Sequence, residues 1–197
     1  AQRVLVKQVR PIVQLDFETK KEQFLEQFDA DEVTQELNAG PRAYSRFPEL
    51  AQTGGNLFSL LGFYAEQRPA NSLREYLNDN IVIYKTGAGK VKGNKVIFET
   101  DVIAPTEEDI NTAMENDPDA ALPDDWAARS FTQLLAKGVT GLPNYLFDLT
   151  RDFSKIPSRS GPAIQTKSQL RGANMRPNKY VKRLLSVLKN IVSPINR

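Results

Sequence analysis

Apolar residues recur at helical spacing near the start of the chain. Phe17, Phe24 and Phe28 are separated by seven and four positions, so a helix over these residues carries three aromatic rings on one stripe. The preceding stretch, Val4-Leu5-Val6-Lys7-Gln8-Val9, alternates partly between apolar and polar residues. It predicts a strand that ends near Pro11, because proline lacks the N–H that a central strand needs.

Short helices and a loop are predicted in the next fifty residues. Asp31 is placed to cap a helix that Gly40-Pro41 ends, and residues 40 to 55 predict a loop because they have no sustained period. The apolar run from Leu57 to Phe63 predicts a short buried element. Ser72-Leu73-Arg74-Glu75 has the spacing of a capping box and predicts the start of another helix.

β-branched and aromatic side chains dominate between residues 80 and 103. Residues 80 to 86 and 95 to 103 predict strands, and Gly93-Asn94 has the length and composition of a tight hairpin turn. An antiparallel sheet is therefore expected. Thr106 and Asp109 then have the three-residue spacing of a helix cap.

The C-terminal part predicts three more helices and one polar segment. The first helix is capped by Asp125 and ended by Gly138, the second runs from Leu142 to Phe153, and the third covers residues 178 to 192. Residues 154 to 178 are polar, basic and rich in Ser, Gly and Pro, which predicts an extended arm.

The whole pattern predicts an α+β fold. We expect an antiparallel sheet with a β-hairpin, built from the first strand and residues 80 to 103, to pack against several helices. Residues 1–153 would form the α+β body. Residues 154–197 would form a basic extended arm and a C-terminal amphipathic helix, within a single domain overall. A length of 197 residues fits one such domain.

The amino-acid composition argues against several classes of function. The chain has no Cys and no His, so it offers no disulfide, no thiol nucleophile and none of the usual soft ligands of zinc. The commonest general base at neutral pH is also missing. We therefore expect no enzymatic activity and no cofactor or metal. The sequence shows no apolar run of roughly 20 residues and no signal-peptide pattern, so we expect a protein that is soluble and cytosolic when made.

Charge is divided unequally along the chain. Residues 1 to 150 hold 15 basic and 23 acidic residues, a balance of −8, whereas residues 151 to 197 hold 11 basic residues against one acidic residue, a balance of +10. This separation is the strongest compositional signal in the sequence. Residues 101 to 125 contain no basic residue and these nine acidic ones: Asp101, Glu107, Glu108, Asp109, Glu115, Asp117, Asp119, Asp124 and Asp125.

Two motifs that could bind ligands have ordinary explanations. Gly87-Ala88-Gly89-Lys90 resembles part of a phosphate-binding loop, but Tyr84 stands where that pattern needs Gly and Val91 where it needs Ser or Thr. A hairpin loop is favoured. The acidic segment could hold a hard cation, but it lacks the spacing of a calcium-binding loop, so a solvated acidic face is favoured.

The basic C-terminal segment has two interpretations. It could neutralise the phosphates of a nucleic acid, or it could dock on the acidic surface of a neighbouring copy. Docking accounts for both halves of the charge pattern, whereas DNA binding leaves a negative body that repels the duplex. The predicted interaction residues are Arg159, Lys167, Arg171 and Arg176 on the basic side and Glu107, Glu108 and Asp109 on the acidic side.

Three stretches carry a family resemblance. They are Val33-Thr34-Gln35-Glu36-Leu37-Asn38-Ala39-Gly40-Pro41-Arg42-Ala43, Gly55-Asn56-Leu57-Phe58-Ser59-Leu60-Leu61-Gly62-Phe63 and Ser158-Arg159-Ser160-Gly161-Pro162-Ala163-Ile164-Gln165. With Trp126-Ala127-Ala128-Arg129-Ser130 between them, they resemble virion structural proteins of tailed bacteriophages over about residues 24 to 190. The ending from Arg176 to Tyr180 and the helix after it resemble neck and tail-completion proteins. Tyr44 to Glu49 departs from the family, where a smaller loop rich in Ser, Thr and Gly is expected.

The resemblance implies a structural role in a virion. It implies a homo-oligomeric ring at the head-tail junction, in contact with other virion proteins such as connector, tail tube or terminator subunits. Contact with DNA passing through a channel stays open. One alternative is another virion position such as the baseplate or the tail. An alternative of a different class is a nucleic-acid-binding protein that uses the basic C-terminal segment. The resemblance supplies no catalytic, cofactor-binding or metal-binding residues.

Overall fold

The computed structural model describes residues 2–51, 56–86, 90–92, 95–97, 100–122, 130–139, 145–147, 163–165 and 175–192. The helices there are α1 Gln2–Ala30, α2 Glu32–Ala39, α3 Pro48–Ala51, α4 Leu57–Leu60, α5 Pro69–Asn80, α6 Glu107–Asn116, α7 Phe131–Lys137 and α8 Tyr180–Val192. The strands are β1 Val82–Thr86, β2 Lys90–Lys92, β3 Lys95–Ile97, β4 Thr100–Ile103, β5 Tyr145–Phe147 and β6 Ala163–Gln165.

The fold is mostly helical with small antiparallel sheets, which confirms the predicted α+β class. β1 pairs with β4, and β2 pairs with β3 in a register that joins Lys92 to Lys95. This pairing is the one expected for the predicted hairpin, while Gly93-Asn94 itself lies outside the described residues. β5 and β6 form a third antiparallel pair.

The strand predicted at Val4 to Val9 is wrong. These residues belong to α1, which runs through Pro11 without ending there. Val6, Val9 and Val13 continue the stripe of Phe17 at spacings of three and four, so the same apolar residues fit a helix. A partial alternation over six positions cannot separate these two periods, and Pro11 removes one backbone hydrogen bond of the helix without breaking it.

The predicted aromatic stripe forms part of the core. Phe24 and Phe28 are fully buried and Phe17 nearly so, which confirms the prediction. The Phe28 ring centroid lies 6.4 Å from that of Tyr180 on α8. Separations in this range are typical of tilted aromatic pairs, which stabilise a core beyond their buried area alone. The aromatic stripe of α1 therefore packs against the C-terminal helix.

The C-terminal helix is anchored in the same core as α1 and α2. Tyr180 is fully buried, and its hydroxyl group lies 2.6 Å from the Thr34 hydroxyl. Burial raises the pKa of Tyr180 well above its usual range, so the phenol stays neutral. The Asn178 N–H donates to the Leu135 carbonyl at 2.7 Å. The helix predicted over residues 178 to 192 therefore forms as α8, two residues shorter at its start, and packs on the body.

Gly138 sets the close approach between α7 and the segment before α8. Its φ of +81° lies in the region that favours glycine, and a Cβ there would stand 2.9 Å from Pro177 Cδ. Val139 and Met175, on either side of this contact, exchange two backbone hydrogen bonds of 2.9 Å. Gly138 ends α7 as predicted, and it also lets the two segments meet.

Two predicted helix starts are displaced. Ser72 does not begin a helix, because α5 begins at Pro69 and Ser72 lies buried within it. Proline suits the first helical position, since its fixed φ and missing N–H are tolerated there. α7 begins at Phe131 with Ser130 as its cap, and the Ser130 hydroxyl accepts from the Gln133 N–H at 3.2 Å. Asp125, the predicted cap, lies outside the described residues.

The helix predicted from Leu142 to Phe153 is wrong at residues 145 to 147, which form β5. All three residues of Tyr-Leu-Phe are apolar, so their pattern fits a strand as well as a helix. Pairing with β6 selects the strand. Outside β5 and β6, the rest of this helix and the arm predicted at 154 to 178 up to residue 174 lie beyond the described residues.

A buried carboxylate organises the loop that follows α2. Glu36 is 1% exposed and accepts three hydrogen bonds, from the Ser45 hydroxyl at 2.8 Å, the Arg46 N–H at 2.7 Å and the Leu57 N–H at 2.6 Å. Buried acids are normally tolerated only when their oxygens are satisfied in this way. Glu36 thereby joins the end of α2, the loop and the start of α4.

Asn56 completes the same junction from the other side. Its amide nitrogen donates to the Gly40 and Ala43 carbonyls, both at 2.8 Å, and its amide oxygen accepts from the Ser59 N–H at 2.9 Å. Gly40 ends α2, and the Asp31 carboxylate accepts from Val33 N–H at its start, so both predicted ends of α2 are confirmed. The predicted loop from residue 40 contains α3.

Replacing Glu36 by Gln tests this junction. An amide offers one acceptor oxygen where the carboxylate offers two, so at least one of the N–H donors to Glu36 loses its partner. We expect the free energy of unfolding to fall by about 2 kcal/mol, measured as a lower urea midpoint at unchanged slope. Glu32→Gln, at an exposed position of the same helix, is the control and should change stability by less than about 0.5 kcal/mol. Equal losses in both variants would contradict the role of Glu36.

Candidate protein-interaction surface

The acidic side of the predicted interaction surface is the first turn of α6. Thr106 caps this helix: its hydroxyl accepts from the Asp109 N–H at 3.2 Å, and its own N–H donates to Asp109 Oδ2 at 2.8 Å. This reciprocal pair is the capping box that the sequence predicted. It places three consecutive acids, Glu107, Glu108 and Asp109, at the positive end of the helix dipole, where negative charge is stabilised.

Asp109 has its charge stabilised by the cap itself. The Thr106 hydroxyl also donates to Asp109 Oδ2 at 2.6 Å. The hydrogen bonds from the Thr106 side chain and then its backbone lower the pKa of Asp109 below its ordinary value. Asp109 therefore stabilises the start of α6, in addition to any role in binding.

Glu107 and Glu108 differ in their partners. Glu107 Oε2 lies 3.7 Å from Lys182 Nζ of α8, a long contact between side chains that are 32% and 63% exposed. Pairs of this kind contribute little, between about 0 and 1 kcal/mol. Glu108 is exposed and makes no ion pair with any described residue. Of the three predicted acids, Glu108 is thus the one with neither an ion pair nor a side-chain hydrogen bond to a described residue.

The remaining acids of the described stretch 101–122 spread around this turn. Asp101 on β4 and Asp119 after α6 are exposed, whereas Glu115 and Asp117 are half-buried. Within the described residues no group of three acidic side chains is close enough to hold a metal ion. The described acids are therefore spread over a charged surface and are not gathered in one cluster.

Of the four residues predicted for the basic side, the structure describes only Arg176. Arg176 is exposed, directly follows the Met175 bridge to Val139 and makes no ion pair with described residues. Arg159, Lys167 and Arg171 lie outside the described residues. The structure therefore does not bring the predicted basic and acidic residues together within the described chain.

Sequence reasoning missed the ion pair that holds α8 to the start of α2. Arg183 Nη2 lies 2.8 Å from Asp31 Oδ2 and 3.1 Å from Oδ1, while its Nε lies 3.0 Å from Oδ2. This two-pronged geometry is the favoured one between guanidinium and carboxylate. The Asp31 side chain is only 11% exposed and also caps α2. No sequence spacing signals a pair separated by 152 positions.

An open apolar groove lies beside the acidic turn. Its volume is about 520 Å3, and its apolar lining comes from β4, from the connection between β4 and α6, and from the last two turns of α8. Asp101, Thr100 and Lys189 supply the polar part of the lining. The apolar lining residues are Val102, Ala104, Pro105, Leu185, Leu188 and Val192.

Comparison with protein-family models, with curated proteins and with solved structures gives no match to this chain. Among the helices of the described ranges, none combines the length and the apolar character needed to cross a membrane.

The capping box gives a pH-dependent prediction. Because the folded-state pKa of Asp109 lies below its ordinary value of 3.8, its contribution to stability is present above that pH and is lost as the pH falls through the folded-state pKa. Asp109→Asn should therefore destabilise the protein at pH 7, and the difference from the wild type should shrink in acid. Urea unfolding across pH 2 to 7 measures this. Glu108→Gln, which removes a charge from the same turn but leaves the cap, is the control. A difference that persists unchanged in acid would contradict the assignment.

Proposed function

We propose that this protein is a non-enzymatic structural subunit of a tailed-bacteriophage virion that assembles into a ring at the head-tail junction. Copies join head to tail, the basic C-terminal segment of one docking on the acidic α6 turn of the next. One observation carries the assembly part of the proposal. The exposed Glu108 and Arg176 each make no ion pair with a described residue, although they belong to the two oppositely charged parts of the chain.

Ion pairs within the chain reduce the number of basic residues that are available for docking. Lys182 and Arg183 contact Glu107 and Asp31 of their own chain, so these two basic residues are already engaged. We therefore assign docking to the basic stretch before α8, which includes Arg176; Lys179 and Lys189 are also exposed and make no ion pair with a described residue. A contact between different surfaces of identical subunits closes into a ring when the rotation per subunit permits.

The virion placement rests on the resemblance to neck and tail-completion proteins. The first two resembling stretches meet at the Glu36 and Asn56 junction, where they form a local structure together. The departure at Tyr44 to Glu49 takes part in that junction through the Ser45 hydroxyl and the Arg46 N–H. The altered loop is thus compatible with the arrangement that the other residues make.

Charge reversal in the basic segment tests the docking model. Arg171→Glu with Arg176→Glu should weaken self-association at least tenfold, about 1.4 kcal/mol, because two attractions become repulsions. Sedimentation velocity at several concentrations measures the change. Arg42→Glu with Lys21→Glu changes the net charge equally at positions outside the predicted interaction residues and should leave association unchanged. Wild-type association should also weaken between about 0.1 and 1 M salt, as the Debye length falls from about 10 to about 3 Å.

The alternative class has a distinct outcome in the same measurements. A monomer that binds duplex DNA tightly, with affinity that falls steeply with salt, would favour a nucleic-acid-binding protein. A subunit that assembles and shows no such binding supports the structural role.

Labelling of virions tests the placement. We expect a tag on this subunit to appear by electron microscopy as one ring-shaped layer between head and tail. Label at the distal end of the tail would instead assign the subunit to the baseplate and contradict the neck position. Absence of label from purified virions would contradict the virion role altogether.

A further inference from the structure

The first half of α1 exposes apolar side chains. Ile12 is 65% exposed and Leu15 is 69% exposed, whereas Phe17, two positions further on, is buried. The 15 residues from Gln2 to Asp16 span about 22 Å at 1.5 Å per residue. Two large apolar side chains three positions apart lie on one helical face, and such exposed clusters commonly mark a binding surface.

This half-helix is also basic. Arg3, Lys7 and Arg10 are its charged residues before Asp16, and no acidic residue occurs in that stretch. A partner of α1 should therefore combine an apolar depression with nearby negative charge. A helix with such a face is typically recognised by an apolar groove.

The groove between β4 and α8 has these properties. Half-buried apolar residues such as Val102 and Val192 line it. Around it, Asp101, Glu108 and Asp109 are exposed acids on β4 and α6, whereas Lys189 is the basic residue of the lining. The surroundings are thus net acidic and opposite in sign to the first half of α1.

We propose that residues 2 to 16 of α1 in one copy dock into this groove of the next copy, with Ile12 and Leu15 entering it. The inference rests on the proposed head-to-tail assembly and names its apolar contact. Both surfaces belong to the same chain, so each subunit donates one helix and accepts one. The groove lies beside the acidic α6 turn, so the helix and the basic segment would occupy neighbouring parts of one acceptor face. Burial of apolar area is less sensitive to salt than exposed ion pairs are.

Two defective variants that complement each other test this contact. Ile12→Lys with Leu15→Lys removes the donor surface and leaves the groove intact. Val102→Lys with Val192→Lys blocks the groove and leaves the helix intact. Each variant alone should lose at least tenfold in self-association. Their equimolar mixture should form a dimer with one copy of each, because one functional helix and one functional groove remain.

Sedimentation velocity near 1 M salt, where exposed charges are screened to about 3 Å, measures these species. Tyr44→Lys with Tyr64→Lys is the matched control, since it places the same charges at two other exposed apolar residues. This control should associate as the wild type does. Circular dichroism confirms that each variant is folded.

A peptide of residues 2 to 16 provides a test that does not depend on folding of the groove variant. Added in excess to the wild-type protein, it should reduce assembly by occupying the groove. The same peptide carrying Ile12→Lys and Leu15→Lys should have at most a tenth of that effect.

The opposing outcomes separate this inference from the proposed function. If the donor variant assembles like the wild type, the α1 contact is wrong and head-to-tail assembly stands. If the groove variant assembles while the donor variant does not, α1 pairs with another surface and the groove is wrong. A wild-type protein that stays monomeric at all salt concentrations overturns both the contact and the ring.

Discussion

Burial of Tyr180 against Phe28 and Thr34 determines where the C-terminal helix lies, and much of the molecular surface depends on that position. The ring fills space beside the stripe of α1, while the 2.6 Å contact with Thr34 satisfies a hydroxyl that would otherwise be costly to bury. Once Tyr180 is in place, the following turns of α8 bring Arg183 to Asp31 and Lys182 to Glu107. The last two turns then form one wall of the groove beside β4.

The position of α8 also changes what the uneven charge distribution means. A surplus of basic residues at the C-terminal end suggests by itself that the whole segment is available to a partner. Two of those residues instead contact acids of their own chain, and Arg183 does so with a carboxylate that is largely shielded from water. Charge that is paired inside the chain contributes less to attraction between copies. The proposed electrostatic contact therefore uses the basic segment before α8 and the acids around Glu108.

The first two resembling stretches contain none of the proposed interface residues, whereas the later stretches contain Arg159 and Arg176. Glu36 and Asn56, within the resembling stretches, are buried and bind backbone groups of the loop between α2 and α4. Such residues hold a local structure, whereas the proposed contacts with partners use exposed side chains such as Glu108, Ile12 and Leu15. A resemblance of this kind bears on the fold first. The proposed role in assembly depends instead on the charged and apolar side chains that are exposed at the surface.

The sequence by itself determined the elements whose signals are local. The Phe24 and Phe28 stripe, the ends of α2 at Asp31 and Gly40, the capping box of Thr106 and the hairpin around Gly93-Asn94 depend on neighbours a few positions away. Tertiary structure decided the rest. Val4 to Val9 and Tyr145 to Phe147 fit both a helix and a strand locally, so packing and pairing select between them. The Arg183 pair, the Glu36 junction and the groove join residues far apart in the chain. The periodicity of the sequence contains no signal for such contacts, so they are formed only when the chain folds.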